Sequence, residues 1–225
     1  MSMKKIYWGG LLCLLAFTTA YGDELVIRDG FQTTRNASAL QGRPLAEGGV
    51  TWESTPNLVV TKGESESAVM TTDEKAILAK VPLTLEADCV VLTAEVRPSG
   101  QTDDKSSWLG IGLGTGKSIT WDGGLFFLLH DGGVMECYYC PPGKNRMQIK
   151  LQRAASVKPT TTAVKLSLQY QKGSNTLTVW VDDVNVIRNF KLGDFVPNLN
   201  FAGFSGVHLK QGVPLVTSFS MVITK

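Results

Sequence analysis

Residues 164–190, VKLSLQYQKGSNTLTVWVDDVNVIRNF, read as three successive strands. Val164, Leu166, Leu168 and Tyr170 alternate with Lys165, Ser167 and Gln169. Leu177, Val179 and Val181 alternate with Thr176, Thr178 and Trp180. A period of two sends one set of side chains to a core and the other to the opposite face of a half-buried strand. Lys172-Gly173-Ser174-Asn175 and Asp182-Asp183 separate the runs. Gly and Asn tolerate positive φ and Asp caps tight turns locally, so both breaks read as hairpin turns.

The same grammar extends outward. Val90, Leu92, Ala94 and Val96 alternate with Val91, Thr93, Glu95 and Arg97, and Asp131-Gly132-Gly133 joins Leu125–His130 to Val134–Tyr139. About a dozen short strands fit between Asp23 and Lys225, the spacing of a sandwich or barrel. Helical turns are expected only at Thr72–Lys80 and Lys191–Phe195, and Ser99–Ser107 reads as a surface loop. No internal repeat or low-complexity linker divides the chain. The expectation is one all-β domain over residues 23–225.

Composition narrows the function classes. The chain has 225 residues, 43% hydrophobic and 19% charged, which excludes a wholly disordered or collagen-like protein. Met1–Lys5 is a basic n-region, Ile6–Phe17 an apolar stretch too short to span a bilayer, and Ala20-Tyr21-Gly22 a small-residue cleavage site. Residues 1–22 are therefore expected to be an export signal. The mature chain is then expected in the periplasm or outside the cell, with no membrane insertion. Of 22 Lys and Arg, Lys4 and Lys5 lie in that leader, which leaves 20 to balance 20 Asp and Glu. A neutral chain has no global field to attract nucleic acid, and no nucleic-acid partner is expected.

Export leaves Cys89, Cys137 and Cys140, an odd number, so at least one thiol is free or intermolecular. Cys137-Tyr138-Tyr139-Cys140 followed by Pro141-Pro142-Gly143 suggests a turn and a candidate local disulfide, with free thiols as the alternative. One C-x-x-C supplies two zinc ligands where a structural site needs four, so no metal is expected. Gly112–Ser118 has a glycine-rich look, but Ile111 stands where a phosphate loop needs its first Gly, and no helix follows. No cofactor is expected.

Several motifs resemble a known family. Asp29-Gly30-Phe31, Leu40-x-Gly42 and Gly48-Gly49-x-x-Trp52 resemble the opening strand and loop of concanavalin A-like jelly-roll domains of bacterial secreted proteins. Trp108-Leu109-Gly110-Ile111-Gly112 looks like their W-x-G-x-G strand, and residues 168–187 are similar to a laminin G-like hairpin. The resemblance implies a two-sheet antiparallel jelly-roll β-sandwich, with the Glu24–Arg28 strand beside Phe219–Ile223. Such folds host lectins, glycosidases, lyases and adhesion modules. Jelly-roll glucanases carry E-x-D-x-E on one strand. Here Glu86-x-Asp88 is followed by Val90 where the third acid is needed. The Gln-x-His of the lyases is absent, and Gly203-Phe204-Ser205-Gly206-Val207 breaks the serine-hydrolase pattern at its last place.

The expected function is a secreted, non-catalytic binding domain for a glycan or a cell-surface protein. The ligand site is expected at Trp180 and Trp108, helped by Asp122 and Asp131. Trp180 faces away from the core, and Trp108 shares its face with Gly110, Gly112 and Gly114, which leave room for a ligand or another sheet. An enzyme would need two carboxylates, or a carboxylate and His130, meeting in one cleft. A structural or assembly protein would use an exposed sheet face or edge.

Overall fold

The structure, a computed structural model, describes residues 24–63, 66–83, 86–97, 106–153 and 163–225. The leader expected over residues 1–22 and most of the loop at 99–107 lie outside the described residues. Two antiparallel sheets pack face to face, with strands numbered along the chain. The first runs, in spatial order, β14 (Val184–Lys191), β13 (Thr176–Val181), β12 (Val164–Gln171), β7 (Cys89–Val96), β16 (Val216–Thr224), β5 (Ser67–Thr71), β4 (Leu58–Lys62), β2 (Ala37–Ala39), with β1 (Glu24–Asp29) also on β16. The second runs β11 (Met147–Ile149), β10 (Met135–Tyr139), β9 (Leu125–His130), β8 (Trp108–Gly114), β15 (Phe201–Val207), β6 (Ile77–Pro82), β3 (Glu53–Ser54). This is the jelly-roll sandwich that the alternation and the resemblance imply.

Strands β1 and β16 pair as expected: Ile27 lies opposite Met221 and Arg28 opposite Ser220. The two hairpin breaks in 164–190 also hold. Asn175, Asp182 and Asp183 adopt φ of 49°, 47° and 64°, the left-handed region that short polar side chains tolerate. The core-facing set is as read: Leu166, Leu168, Tyr170, Leu177, Val179 and Val181 all join the inter-sheet core.

Two local expectations are corrected. Thr72–Lys80 is not a helical turn, because Ile77–Pro82 pairs along β15 and sends Ile77, Ala79 and Val81 into the core. The sheet ladder and the burial of three apolar side chains outweigh the helical look of the charged run before them. Lys191–Phe195 is the end of β14 followed by a single turn, closed by Phe195 N–H donating to Leu192 O.

At the middle of the core, Trp52 packs against Phe31, Phe204 and Phe219, with ring centroids 5.8, 5.4 and 4.8 Å away. Asp29 anchors this group. Its buried carboxylate accepts from Phe31 N–H (2.7 Å), Trp52 Nε1 (2.9 Å) and Arg43 Nε (3.5 Å). The D-x-F and distant Trp of the sequence are thus one hydrogen-bonded unit: a buried carboxylate needs several donors, and the motif supplies them.

Candidate functional site

The outer face of the seven-stranded sheet is built by alternation. Leu109, Ile111 and Leu113 of β8 enter the core, so Trp108, Gly110, Gly112 and Gly114 face out. Space above Gly112 is taken by the chain itself. The loop after β8 folds back and lays Trp121, wholly buried, over that glycine; a Cβ on Gly112 would fall inside the indole. Trp121 Nε1 donates to Ser205 Oγ (3.0 Å), which donates to Ile119 O (2.7 Å). Trp108, Trp121, Phe126, Leu128, Tyr138 and Cys140 form a second apolar layer there.

To one side of Trp121 lies a polar cluster. Trp108 stands opposite His130 across the β8–β9 pair. His130 Nε2 lies 3.1 Å from Glu136 Oε2, and Tyr138 OH donates to the same oxygen at 2.8 Å. The Arg146 guanidinium sits 4.7 Å from the centre of the Tyr138 ring. Burial pushes the Glu136 carboxyl up, but the bonds to His130 and Tyr138 outweigh it and hold the carboxyl below its usual value. Burial, and then the bond to Glu136, push the Tyr138 phenol up to about 12. The arrangement keeps a carboxylate ionised and a phenol protonated. It was legible in part: the Asp131-Gly132-Gly133 turn and strict alternation put His130 and Glu136 on one face.

To the other side, at the β3 edge, is a groove of about 410 Å³ lined by Gln41, Glu53, Ser54, Thr55, Leu78 and Lys80. Leu78 gives an apolar floor and the rest a polar rim. Lys80 is held in place: its ammonium lies 3.3 Å from Glu53 Oε2, donates to Gly116 O (3.0 Å) and stands 4.1 Å over the Phe201 ring. Gly116 has φ 64°, and a Cβ there would meet the Lys80 stem at 2.7 Å, so only glycine lets the lysine pass. Beyond the strap Leu40–Arg43, a second groove of about 490 Å³ is lined by Gln32, Thr33, Thr34, Arg35, Ser38, Ala39 and Arg43. Sequence reasoning missed both grooves. The first takes Leu78 and Lys80 from β6, with Lys80 held by the loop after β8, while the second is lined by residues between Gln32 and Arg43.

The expected site residues do not come together. Trp180 is half-buried on the outer face of the nine-stranded sheet, its Nε1 3.2 Å from the Asn185 amide oxygen when that amide also donates to Ile187 O. Trp108 is on the other sheet and only 8% exposed, edge-on to Phe126 at 5.1 Å. Asp122 is exposed at the loop beyond Trp121, accepting from Thr120 Oγ1 at 3.4 Å. Asp131 is wholly buried, and its N–H donates to Ser107 O.

The candidate disulfide is corrected as well: Cys137 and Cys140 are free thiols. Cys137 is on β10, not in a turn, so its side chain enters the inter-sheet core while Cys140 joins the outer layer. Three extended steps separate their Cα atoms by roughly 10 Å, beyond the reach of a disulfide. Cys140 Sγ donates instead to Thr120 O at 3.1 Å.

Neither a family model nor a curated protein matches the sequence. Solved structures do match. The Emp47p carbohydrate recognition domain has a TM-score of 0.58 at 10% identity, covering 86% of this chain and 97% of that one. The glycoside hydrolase family 16 endo-glucanase from Bacteroides ovatus has a TM-score of 0.50 at 11% identity, covering 87% and 98%. The VIP36 exoplasmic/lumenal domain, in a Ca²⁺/Man-bound form, has a TM-score of 0.50 at 12% identity, covering 83% and 88%. At these identities the likeness is one of fold alone.

Proposed function

We propose that the chain is an exported, non-catalytic glycan-binding domain that holds a sugar in the groove over the paired strands β3 and β6. The observation that carries this reading is the groove itself. It combines the apolar floor of Leu78 with acceptors and donors from Gln41, Glu53, Ser54, Thr55 and Lys80, the mix a sugar ring needs. Its Lys80–Glu53 pair is pinned before any ligand arrives, so little ordering entropy is lost on binding. Domains of the same fold include a carbohydrate recognition domain and a Man-bound lumenal domain, which supports the same partner class. Export rests on the leader at residues 1–22.

The carboxylates support the absence of glycosidase chemistry. On this sheet face Glu136 and Glu53 stand five strands apart in the sheet order, roughly 24 Å at ~4.8 Å per strand. Cooperating carboxyls in glycosidases sit about 5–10 Å apart. A general acid also needs a raised pKa, whereas Glu136 is held low.

A glycan array followed by calorimetry on the best neutral ligand tests the reading. Lys80→Ala should weaken binding about tenfold, the loss of one charge-assisted hydrogen bond. Trp180→Ala is the parallel variant: if it alone abolishes binding, the site is the outer face of the nine-stranded sheet. A second reading has one specific observation behind it, the meeting of His130 with Glu136 and Tyr138. Polysaccharide turnover that disappears in Glu136→Gln would make the chain an enzyme. Failure of both binding and turnover would favour a surface-protein or assembly role.

A further inference from the structure

The groove on the far side of the Leu40–Arg43 strap differs in chemistry from the one assigned to the neutral sugar. The Lys80 groove includes a carboxylate, Glu53. The lining of the second groove contains two arginines, three hydroxyls and one amide, and no Asp or Glu. Neutral sugar hydroxyls need acceptors as well as donors, and a surface rich in donors without a carboxylate selects acceptors.

Arg43 is pre-organised. Its side chain is 19% exposed, with Nε 3.5 Å from Asp29 Oδ2 and Nη2 donating to Gln32 O at 2.8 Å. Those bonds fix the plane of the guanidinium and leave Nη1 without a hydrogen bond among the described residues. Asp29 lies beneath, fully buried and bonded to Phe31 N–H and Trp52 Nε1, so it orients Arg43 rather than lining the groove. Arg35 is exposed, and no carboxylate among the described residues lies within ion-pair distance of it. Its backbone N–H donates to Thr33 Oγ1 at 3.2 Å, which folds the loop around the groove. The local charge is thus positive although the mature chain is balanced.

We infer that this groove is an anion subsite, in which Arg35 and Arg43 bind the sulfate or carboxylate groups of an acidic polysaccharide. The carrier rests on the glycan reading above, and the charge rests on Arg35 and Arg43. Planar guanidinium forks pair with planar or tetrahedral oxyanions through two parallel hydrogen bonds. Thr33, Thr34 and Ser38 line the same groove with hydroxyls suited to the remaining oxygens.

Affinity electrophoresis of the protein in gels containing dextran sulfate, polygalacturonate or neutral dextran, at about physiological ionic strength, tests the inference. A gel loaded with single-stranded DNA is the further arm. Dextran sulfate or polygalacturonate should retard the protein, and which of the two acts identifies sulfate or carboxylate as the recognised group. Arg35→Gln should weaken retardation about tenfold. Arg43→Lys, which keeps the charge and removes the fork, should weaken it as well. Arg188→Gln, an equal charge change at an exposed position of β14, should not. Equal behaviour of Arg35→Gln and Arg188→Gln would overturn the subsite, and so would retardation by DNA alone. Binding of a neutral glycan on the array with no response to either polyanion sinks the anion subsite and leaves the glycan reading standing. No binding to any glycan sinks both.

Discussion

Asp29 and Glu136 are two carboxylates that the fold uses in opposite ways. Asp29 has no exposed side-chain surface and serves the core through Phe31, Trp52 and Arg43. Asp29→Ala would leave the Trp52 N–H and the Arg43 guanidinium without their buried acceptor. The expected loss is about 3–5 kcal/mol, the range for breaking a buried charged pair, read from urea denaturation. Asp29→Asn keeps one acceptor oxygen and should lose less. Glu136 is partly exposed and held below its ordinary value by His130 and Tyr138, against the upward push of burial. A carboxyl lowered by folding stabilises the native state above its unfolded pKa, ~4.3. That contribution disappears as pH falls through the lower folded value. Stability should therefore decline on acidification below about pH 4–5, and Glu136→Gln should flatten that part of a Tm-against-pH curve. An unchanged curve in Glu136→Gln would show that the hydrogen bonds carry no linkage.

Strand β8 shows how an element prepares a place and another segment takes it. Its glycines alternate with Leu109, Ile111 and Leu113, and the sheet face they leave low is where Trp121 lies. Gly112→Ala should displace the indole and break its bond to Ser205. Overpacking of this kind costs about 1–3 kcal/mol. The thermal midpoint should drop, and tryptophan emission should move to the red as Trp121 gains water. The glycine alternation was readable as space for a ligand or a sheet. That the occupant would be an indole from the following loop was not, because Trp121 is held by Ser205, 84 residues away. Strand β10 and the residue after it make a parallel point with their thiols. Burial raises Cys137 and raises Cys140 to about 11, the latter helped by Asp122, whereas Cys89 is half-buried on the nine-stranded sheet. Native protein treated with iodoacetamide near pH 8 should be labelled first at Cys89, with Cys137 and Cys140 reacting only after denaturation. Mass spectrometry of the digested protein reads this directly, and fast labelling of Cys137 would contradict its place in the core.

Across the whole molecule, the pairing of β1 with β16 was legible only through the family resemblance, whereas the alternation in 164–190 and the turns at Asn175 and Asp182-Asp183 were legible because strand period and turn chemistry are local. Each depends on residues within a few positions of one another, and burial then favours a single register. The meeting of His130 and Glu136 was legible in principle for the same reason, since one hairpin brings them together. The misread segments, Thr72–Lys80, Lys191–Phe195 and Cys137–Cys140, were those in which local appearance competed with a sheet ladder. The grooves belong to a different order of information. Lys80 reaches Gly116 across 36 positions, and Arg43 reaches back 14 to Asp29. The walls of the Lys80 groove meet only through the pairing of β3 with β6, whereas the Arg43 groove is lined by nearby residues whose arrangement is fixed by the bond back to Asp29. By itself the sequence determined which side chains face the core and which face out. Only the tertiary structure decided which outward faces stay open, because that depends on sheet order and on which loops fold back over them.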